Sequence, residues 1–131
     1  MGGDEKAGLV VESLLARIAE LEPRTVGAEA LEPDLQALAD YLADHREAWP
    51  AIKRRFVRLL REYPPGTTDV MQFCMYRFQW PEIEQTARQL LVEATDHRLR
   101  RAYEAVLEVY TLPWEDRDIY RAYRAAEPRT S

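Results

Sequence analysis

Residues 69–80 have the sequence Asp69-Val70-Met71-Gln72-Phe73-Cys74-Met75-Tyr76-Arg77-Phe78-Gln79-Trp80. If this stretch forms a helix, its surface is apolar nearly all round, interrupted by Gln72, Arg77 and Gln79. A helix without a polar face is enclosed by other helices. We therefore predict that residues 69–79 form a central helix, the hub, around which the rest of the chain packs. We also expect the Arg77 guanidinium to reach a carboxylate or solvent, because burying it without a partner would cost free energy.

Apolar residues recur at helical spacing on both sides of the hub. This pattern predicts further helices over residues 4–21, 33–49, 50–63, 81–94, 96–110 and 114–123. Pro23, Pro64-Pro65-Gly66 and Pro81 mark boundaries between them, because proline interrupts helical hydrogen bonding. The predicted fold class is all-α, with six or seven helices.

Local signals predict how several helices begin. Pro33 suits the first turn of the second helix, and Pro81 suits the first turn of the fifth. The residue before a proline avoids the α region, so Trp80 is expected at a sharp corner. Side-chain oxygens that can cap a helix precede two others: Thr67, Thr68 and Asp69 at the hub, and Thr95 and Asp96 at the sixth helix.

The length of 131 residues fits one helical domain spanning residues 1–131. Residues 22–31 contain Pro23 and Gly27 and are predicted to be an irregular connection. Residues 1–22 are then a helix that is loosely attached, and residues 33–124 are the core. We expect residues 125–131 to fray, since Pro128 stops any continuation.

An internal repeat is suggested by shifting the chain by 47 residues. The shift places apolar residues of the third helix over those of the sixth, and three hub residues over three C-terminal ones: Asp69, Phe73 and Tyr76 over Asp116, Tyr120 and Tyr123. HEAT and armadillo repeats have a similar period, about 40–47 residues. Residues 33–124 therefore resemble a pair of HEAT-like repeats, which would imply an α-α superhelix that binds partners on one face. The alternative architecture is a compact orthogonal bundle around the hub.

Composition restricts the partners and the compartment. The formal charge of −5 opposes non-specific binding to nucleic acid or anionic lipid. No window approaches the roughly 20 apolar residues of a membrane span, so we expect no membrane partner. The amino terminus lacks a signal-peptide pattern, and the single cysteine, Cys74, lies in the most apolar stretch. A cytoplasmic location is therefore predicted.

Recognisable catalytic motifs are missing from the sequence. The five glycines form no phosphate-binding loop, and neither an HExxH nor a GxSxG motif occurs. The two histidines, His45 and His97, each occur in Asp-His-Arg, but one falls on a predicted buried stripe and the other in a first helical turn. We therefore predict no catalytic residue, no metal site and no cofactor, and we expect a protein that is not an enzyme.

The leading functional hypothesis is a protein-interaction module that binds another protein or itself. Its candidate surface is the aromatic and acidic C-terminal segment, comprising Trp114, Glu115, Asp116, Asp118, Tyr120 and Tyr123. Aromatic residues are common interface anchors, and acidic residues would steer a basic partner, as in an acidic neutralising or immunity-type protein. The opposing interpretation is that Trp114, Tyr120 and Tyr123 only seal the end of the core.

Two alternatives come from other parts of the chain. A nucleic-acid-associated regulator would use the basic face of the third helix, formed by Lys53, Arg54, Arg58 and Arg61, although a solvated face is the simpler interpretation. An enzyme or small-molecule binder would use a pocket beside the hub, lined by Tyr76, Arg77 and Trp80.

Overall fold

The computed structural model describes residues 2–25 and 27–124, and this part of the chain forms seven α-helices and no β-strand. Their bounds are α1 Gly2–Leu21, α2 Ala28–Asp44, α3 Trp49–Glu62, α4 Thr67–Phe78, α5 Pro81–Glu93, α6 His97–Glu108 and α7 Arg121–Arg124. Short 3-10 helices occupy Glu22–Arg24, Arg46–Ala48 and Glu115–Ile119. The predicted all-α class is confirmed. The expected fraying of residues 125–131 lies outside the described residues.

The longer helices lie in two rows. Within one row α3 packs between α1 and α5, and within the other α4 packs between α2 and α6. Contacts of α1 with α2 and of α5 with α6 join the rows at their ends. Two rows of alternating helices are the layout of stacked helix pairs. The 47-residue repeat itself stays a prediction.

The hub helix is α4, and its enclosure follows from its composition. Seven of its residues are buried, namely Thr67, Val70, Met71, Gln72, Phe73, Cys74 and Met75. The buried Gln72 amide donates a hydrogen bond to the Ala105 carbonyl on α6 at 2.8 Å, so its polar group is satisfied. Arg77 is exposed and pairs with Asp40 on α2, with 3.6 Å between Nη1 and Oδ1. The carboxylate partner expected for Arg77 is confirmed.

The start of α2 differs from the prediction. The helix begins at Ala28, so residues 28–31 are helical and Pro33 lies inside the helix rather than in its first turn. The reason is burial: Leu31 is 2% exposed and continues the buried stripe of Leu35 and Leu38 by one turn. Pro33 is exposed, so its ring lies on the outer side of the helix.

Two other helix starts test the predicted caps. Asp96 is confirmed, because its carboxylate accepts hydrogen bonds from the backbone N–H groups of Arg98 and Leu99 at 2.7 and 3.3 Å. The predicted side-chain cap of the hub is wrong. Gly66, with φ 87°, precedes α4 without a side-chain hydrogen bond, and the Thr67 hydroxyl donates instead to the Pro64 carbonyl.

The first helix packs on the core. Ala7, Val11, Leu15 and Ile18 are buried along one side of α1, which contacts both α2 and α3. The connection to α2 contains the 3-10 helix Glu22–Arg24 and Gly27, whose φ is 87°. Loose attachment of residues 1–22 stays a prediction. None of the helices in the described residues has both the length and the apolar content needed to cross a membrane.

Gly66 offers a direct test of the junction between α1 and α4. Its positive φ strains any residue with a Cβ, and an added Cβ would lie 2.9 Å from Cγ2 of Ile18. We expect Gly66→Ala to lower the free energy of unfolding by about 1–3 kcal/mol. Urea denaturation followed by circular dichroism measures this.

Gly3→Ala is the matched control, because an added Cβ at Gly3 meets nothing within 4 Å and α1 gains helix propensity. This variant should be unchanged or more stable by up to about 1 kcal/mol. Equal stability of Gly66→Ala and the wild type would show that this junction is not tightly packed.

Candidate functional site: the C-terminal acidic segment

The candidate site is the segment between α6 and α7, which two buried aromatic side chains hold against the hub. Trp114 is 2% exposed and packs on Tyr76, with 5.4 Å between ring centroids. Its indole N–H has no hydrogen-bond partner among the described residues, while its carbonyl accepts a hydrogen bond from Arg117 Nη1 at 2.9 Å. Tyr120 is fully buried against Phe73 at 5.0 Å, and its hydroxyl donates a hydrogen bond to Asp69 Oδ1 at 2.7 Å.

The short helix α7 is fastened to the start of α2. The Glu32 carboxylate accepts hydrogen bonds from the backbone N–H groups of Arg121 and Ala122, both at 2.7 Å. These are N–H groups at the start of a helix that have no intrahelical partner, so Glu32 acts as a cap supplied from a distant helix. Arg124 pairs with Glu29 at 3.1 Å, and the Tyr123 hydroxyl donates to the Phe73 carbonyl.

Between these anchors the segment displays acidic side chains. Glu115, Asp116 and Asp118 lie on the 3-10 helix Glu115–Ile119 and are exposed, as is Glu108 at the end of α6. Within residues 2–25 and 27–124 none of the four carboxylates forms an ion pair or a hydrogen bond. Four negative charges are thus available to a partner.

Apolar side chains flank these carboxylates. Leu112 is 60% exposed and Ile119 is 44% exposed, and they are two of the four large apolar side chains exposed in the described part of the chain. A surface depression of about 420 Å³ opens at the start of this segment, lined by Glu108, Thr111, Pro113, Trp114, Glu115 and Asp116. The surface therefore combines negative charge with apolar contact area.

The predicted role of the C-terminal aromatics needs correction. Trp114 and Tyr120 are buried, and Tyr123 is half-buried, so these side chains do not form an exposed anchor. The interpretation that they seal the core is right for Trp114 and Tyr120. The reason is that α4 is apolar on the side that α2 and α6 leave open, and these rings cover it. Only the acidic part of the predicted surface is accessible.

The basic face of α3 is partly neutralised by ion pairs. Lys53 bonds to Glu82 at 3.1 Å, and Arg58 bonds to Glu12 at 2.8 Å. Arg54 and Arg61 are exposed and have no carboxylate partner in the described residues. Of the four residues predicted to contact nucleic acid, two are therefore already paired within the chain, which weakens that hypothesis.

The residues predicted to line a pocket beside the hub do not form an open cleft together. Trp80 is 2% exposed, in ring contact with Trp49, Phe56 and Phe78. Its carbonyl accepts a hydrogen bond from the Tyr110 hydroxyl at 2.8 Å. Tyr76 is half-buried against Trp114, while Arg77 faces Asp40. A large aromatic residue at the corner before Pro81 is thus part of the core.

Reactive groups are few in this region. Burial raises the pKa of the Cys74 thiol to about 12, so it stays protonated and unreactive at neutral pH. His45 lies at the end of α2, where its ring stacks on Tyr41 and Nδ1 bonds the Tyr41 carbonyl at 2.9 Å, and His97 is exposed. The described residues contain no group of three or more His, Cys, Asp or Glu side chains able to hold a metal ion.

Sequence reasoning missed the residues that fasten this segment. Glu32 bonds to backbone groups 89 and 90 residues away, and Asp69 bonds to a hydroxyl 51 residues away. No local sequence pattern predicts such pairs, because each depends on how helices that are distant in sequence pack together.

Comparison with known proteins finds no family model, no curated protein and no solved structure that matches the chain. The function must therefore be argued from the surface itself.

Buried tyrosine hydroxyls around the hub should make the protein sensitive to alkali. Burial raises the pKa of Tyr63 to about 12, and burial followed by the Asp69 carboxylate raises that of Tyr120 further. The ordinary pKa of tyrosine is 10.0. A tyrosine whose pKa is higher in the folded state contributes its full stability below pH 10 and loses it as the pH rises from 10 towards the folded-state pKa. Each such tyrosine should cost about 1.4 kcal/mol of stability per pH unit above about pH 10.

Tyr120→Phe tests this link. The variant should be less stable than the wild type at pH 8 by about 1 kcal/mol, because it loses a hydrogen bond. The difference should shrink by about 1 kcal/mol between pH 10 and 11, since the variant has one fewer hydroxyl to ionise. Urea denaturation at each pH gives the comparison.

The control is Phe73→Leu, which disturbs the same cluster without removing a hydroxyl. The decrease in its free energy of unfolding should not vary with pH. Parallel curves for Tyr120→Phe and the wild type would contradict the assignment.

Proposed function

We propose that this chain is a non-enzymatic protein-interaction module, and that its acidic surface binds a basic partner. The acidic surface comprises Glu108, Leu112, Glu115, Asp116, Asp118 and Ile119. The observation that carries the proposal is that Glu108 at the end of α6 and three acidic residues of the following segment have no partner in the described residues, and that this segment also exposes two apolar side chains. Cytoplasmic location belongs to the same proposal, and the single buried cysteine is in keeping with it.

Anchoring of the segment favours binding. Trp114 and Tyr120 are buried on either side of the acidic 3-10 helix, so its backbone is held before a partner arrives. A surface that is ordered in advance loses less conformational entropy on association, which leaves more of the contact energy as affinity. The same rings explain why the segment remains in place although it consists of short helices.

Charge and apolar area have different roles in this proposal. Exposed carboxylates attract a basic partner over a distance of about 10 Å at moderate ionic strength, and that attraction weakens with salt. Leu112 and Ile119 supply contact area that salt does not screen. A partner that fits both carries lysine or arginine residues beside apolar ones.

Two labelled peptides of equal charge can separate these roles. One places leucine between lysines at helical spacing, and the other is oligolysine. We expect the amphipathic peptide to bind more tightly in fluorescence anisotropy. The triple variant Glu115→Gln, Asp116→Asn and Asp118→Asn should lose about tenfold in affinity at low salt, because exposed ion pairs contribute up to about 1 kcal/mol each.

The matched control is the triple variant Glu20→Gln, Asp44→Asn and Glu47→Gln, which removes three exposed carboxylates on other helices. It should bind like the wild type. Leu112→Ser combined with Ile119→Ser should abolish the preference for the amphipathic peptide over oligolysine. If both triple variants lose the same affinity, attraction depends on net charge alone and the proposed surface is wrong.

A further inference from the structure

A second charged site, which is positive although the protein as a whole is acidic, lies where α3 faces α1. Arg55 Nη1 and Arg58 Nη2 both bond to one carboxylate oxygen, Oε2 of Glu12, and the Arg58 contact measures 2.8 Å. A single negative charge is therefore shared between two guanidinium groups. Glu12 comes from α1, so the pairing also links the first helix to the third.

A third guanidinium belongs to the same place. Arg54, Arg55 and Arg58, together with Ala51, line a surface depression of about 240 Å³. Arg54 is exposed and has no carboxylate partner within residues 2–25 and 27–124. Three guanidinium groups thus lie beside the Glu12 carboxylate, and the Glu62 carboxylate lines the adjoining depression, in a protein whose formal charge is −5.

The position of Arg55 is set by Gly8 on α1. A Cβ at residue 8 would lie 2.6 Å from Nε and 2.9 Å from Nη2 of Arg55. The guanidinium therefore rests directly on the α1 backbone, in space that only glycine leaves free. This contact holds one of the three arginines in place before any ligand binds, which reduces the entropy lost on binding.

We propose that this depression, the arginine site, binds the doubly charged phosphate of a small phosphate monoester in competition with Glu12. Guanidinium groups match phosphate oxygens in pairs of parallel hydrogen bonds, and charge-assisted bonds of this kind are the stronger ones. Three guanidinium groups attract a dianion more strongly than a carboxylate or a phosphodiester, which carries only one charge. The arginine site is separate from the acidic surface, and the proposal does not depend on the function proposed above.

Three soluble probes define the ligand class at constant ionic strength. Inorganic phosphate and glycerol phosphate at pH 8 should shift the arginine Nε–Hε signals of Arg54, Arg55 and Arg58 in a saturable NMR titration. Dimethyl phosphate, which carries one charge like a nucleic-acid backbone, should bind at least about fivefold more weakly. Glycerol phosphate should also weaken at pH 5, since the second proton of a phosphate monoester dissociates near pH 6.

Two substitutions test the residues in opposite directions. Arg54→Gln should weaken glycerol phosphate binding by about fivefold, and Glu12→Gln should strengthen it by about threefold, because the competing charge is gone. Arg101→Gln is the control: Arg101 is an exposed arginine on α6 without a side-chain partner in the described residues, and binding should stay unchanged. Arg54 has no hydrogen-bond or carboxylate partner in the described part of the chain, so its variant should fold like the wild type.

Four results would overturn the proposal. They are no saturable shift with any probe, equal losses in Arg54→Gln and Arg101→Gln, weaker binding in a folded Glu12→Gln variant, or equal affinity for dimethyl and glycerol phosphate. The last result would assign the arginine site to a phosphodiester backbone instead, and would favour nucleic acid as the partner of α3.

Discussion

The architecture depends on one constraint, which is that α4 has no polar face. The neighbouring helices α2 and α6 cover two of its sides. The C-terminal aromatics cover a further side, where Tyr120 and Tyr123 pack on Phe73, and Trp114 packs on Tyr76. The need to enclose an apolar helix therefore determines where the end of the chain lies. It also determines which residues of that end face outward, because the acidic side chains lie between two aromatic ones that are buried.

Charge is distributed unevenly over the surface that results. Within the described residues, the carboxylates of Glu108, Glu115, Asp116 and Asp118 have no partner, and the guanidinium groups of Arg54 and Arg61 on α3 have no carboxylate partner. Exposed ion pairs contribute little to folding stability, so these charges are not required by the fold. The proposed acidic surface and the proposed arginine site therefore lie on different helices and offer charges of opposite sign.

The features that could be predicted from the sequence are those that depend on residues close together in the chain. The presence of the first six helices, the stops at Pro64-Pro65-Gly66 and Pro81, and the Asp96 cap follow from short-range hydrogen bonding and periodicity, and the structure confirms them. Two predicted helix positions are wrong: α2 ends at Asp44 rather than at Trp49, and the helix predicted over 114–123 is a 3-10 helix followed by the short α7. The carboxylate partner of Arg77 was also predictable, since a charge on an apolar helix needs one. The early start of α2 was not predicted. Burial of Leu31 favours an additional helical turn before Pro33, and this outweighs the preference of proline for the first turn of a helix.

The candidate site was predicted only in part, for a physical reason. Periodicity shows which side chains are apolar, but not which helix covers them, so exposure of Trp114 and Tyr120 could not be decided from the sequence. Pairings such as Glu12 with Arg55 and Arg58, across 43 and 46 residues, depend on the packing of α1 against α3. What remained accessible after packing, the acids between the two rings, was predicted correctly as exposed by its charge alone.

The bonds from Glu32 to Arg121 and Ala122 connect positions 89 and 90 residues apart, so they close a loop that contains most of the chain. Contacts of such long sequence separation carry a large loop-closure entropy, and they form after the local helices in folding. We therefore expect the acidic segment to assemble late, once α2 and α4 are in place to receive α7 and Tyr120. During synthesis, the proposed surface would be complete only after α7 has left the ribosome. A chain that displays it would already have packed α7 against α2, and a partner that recognised it would select folded molecules over nascent or partly unfolded ones.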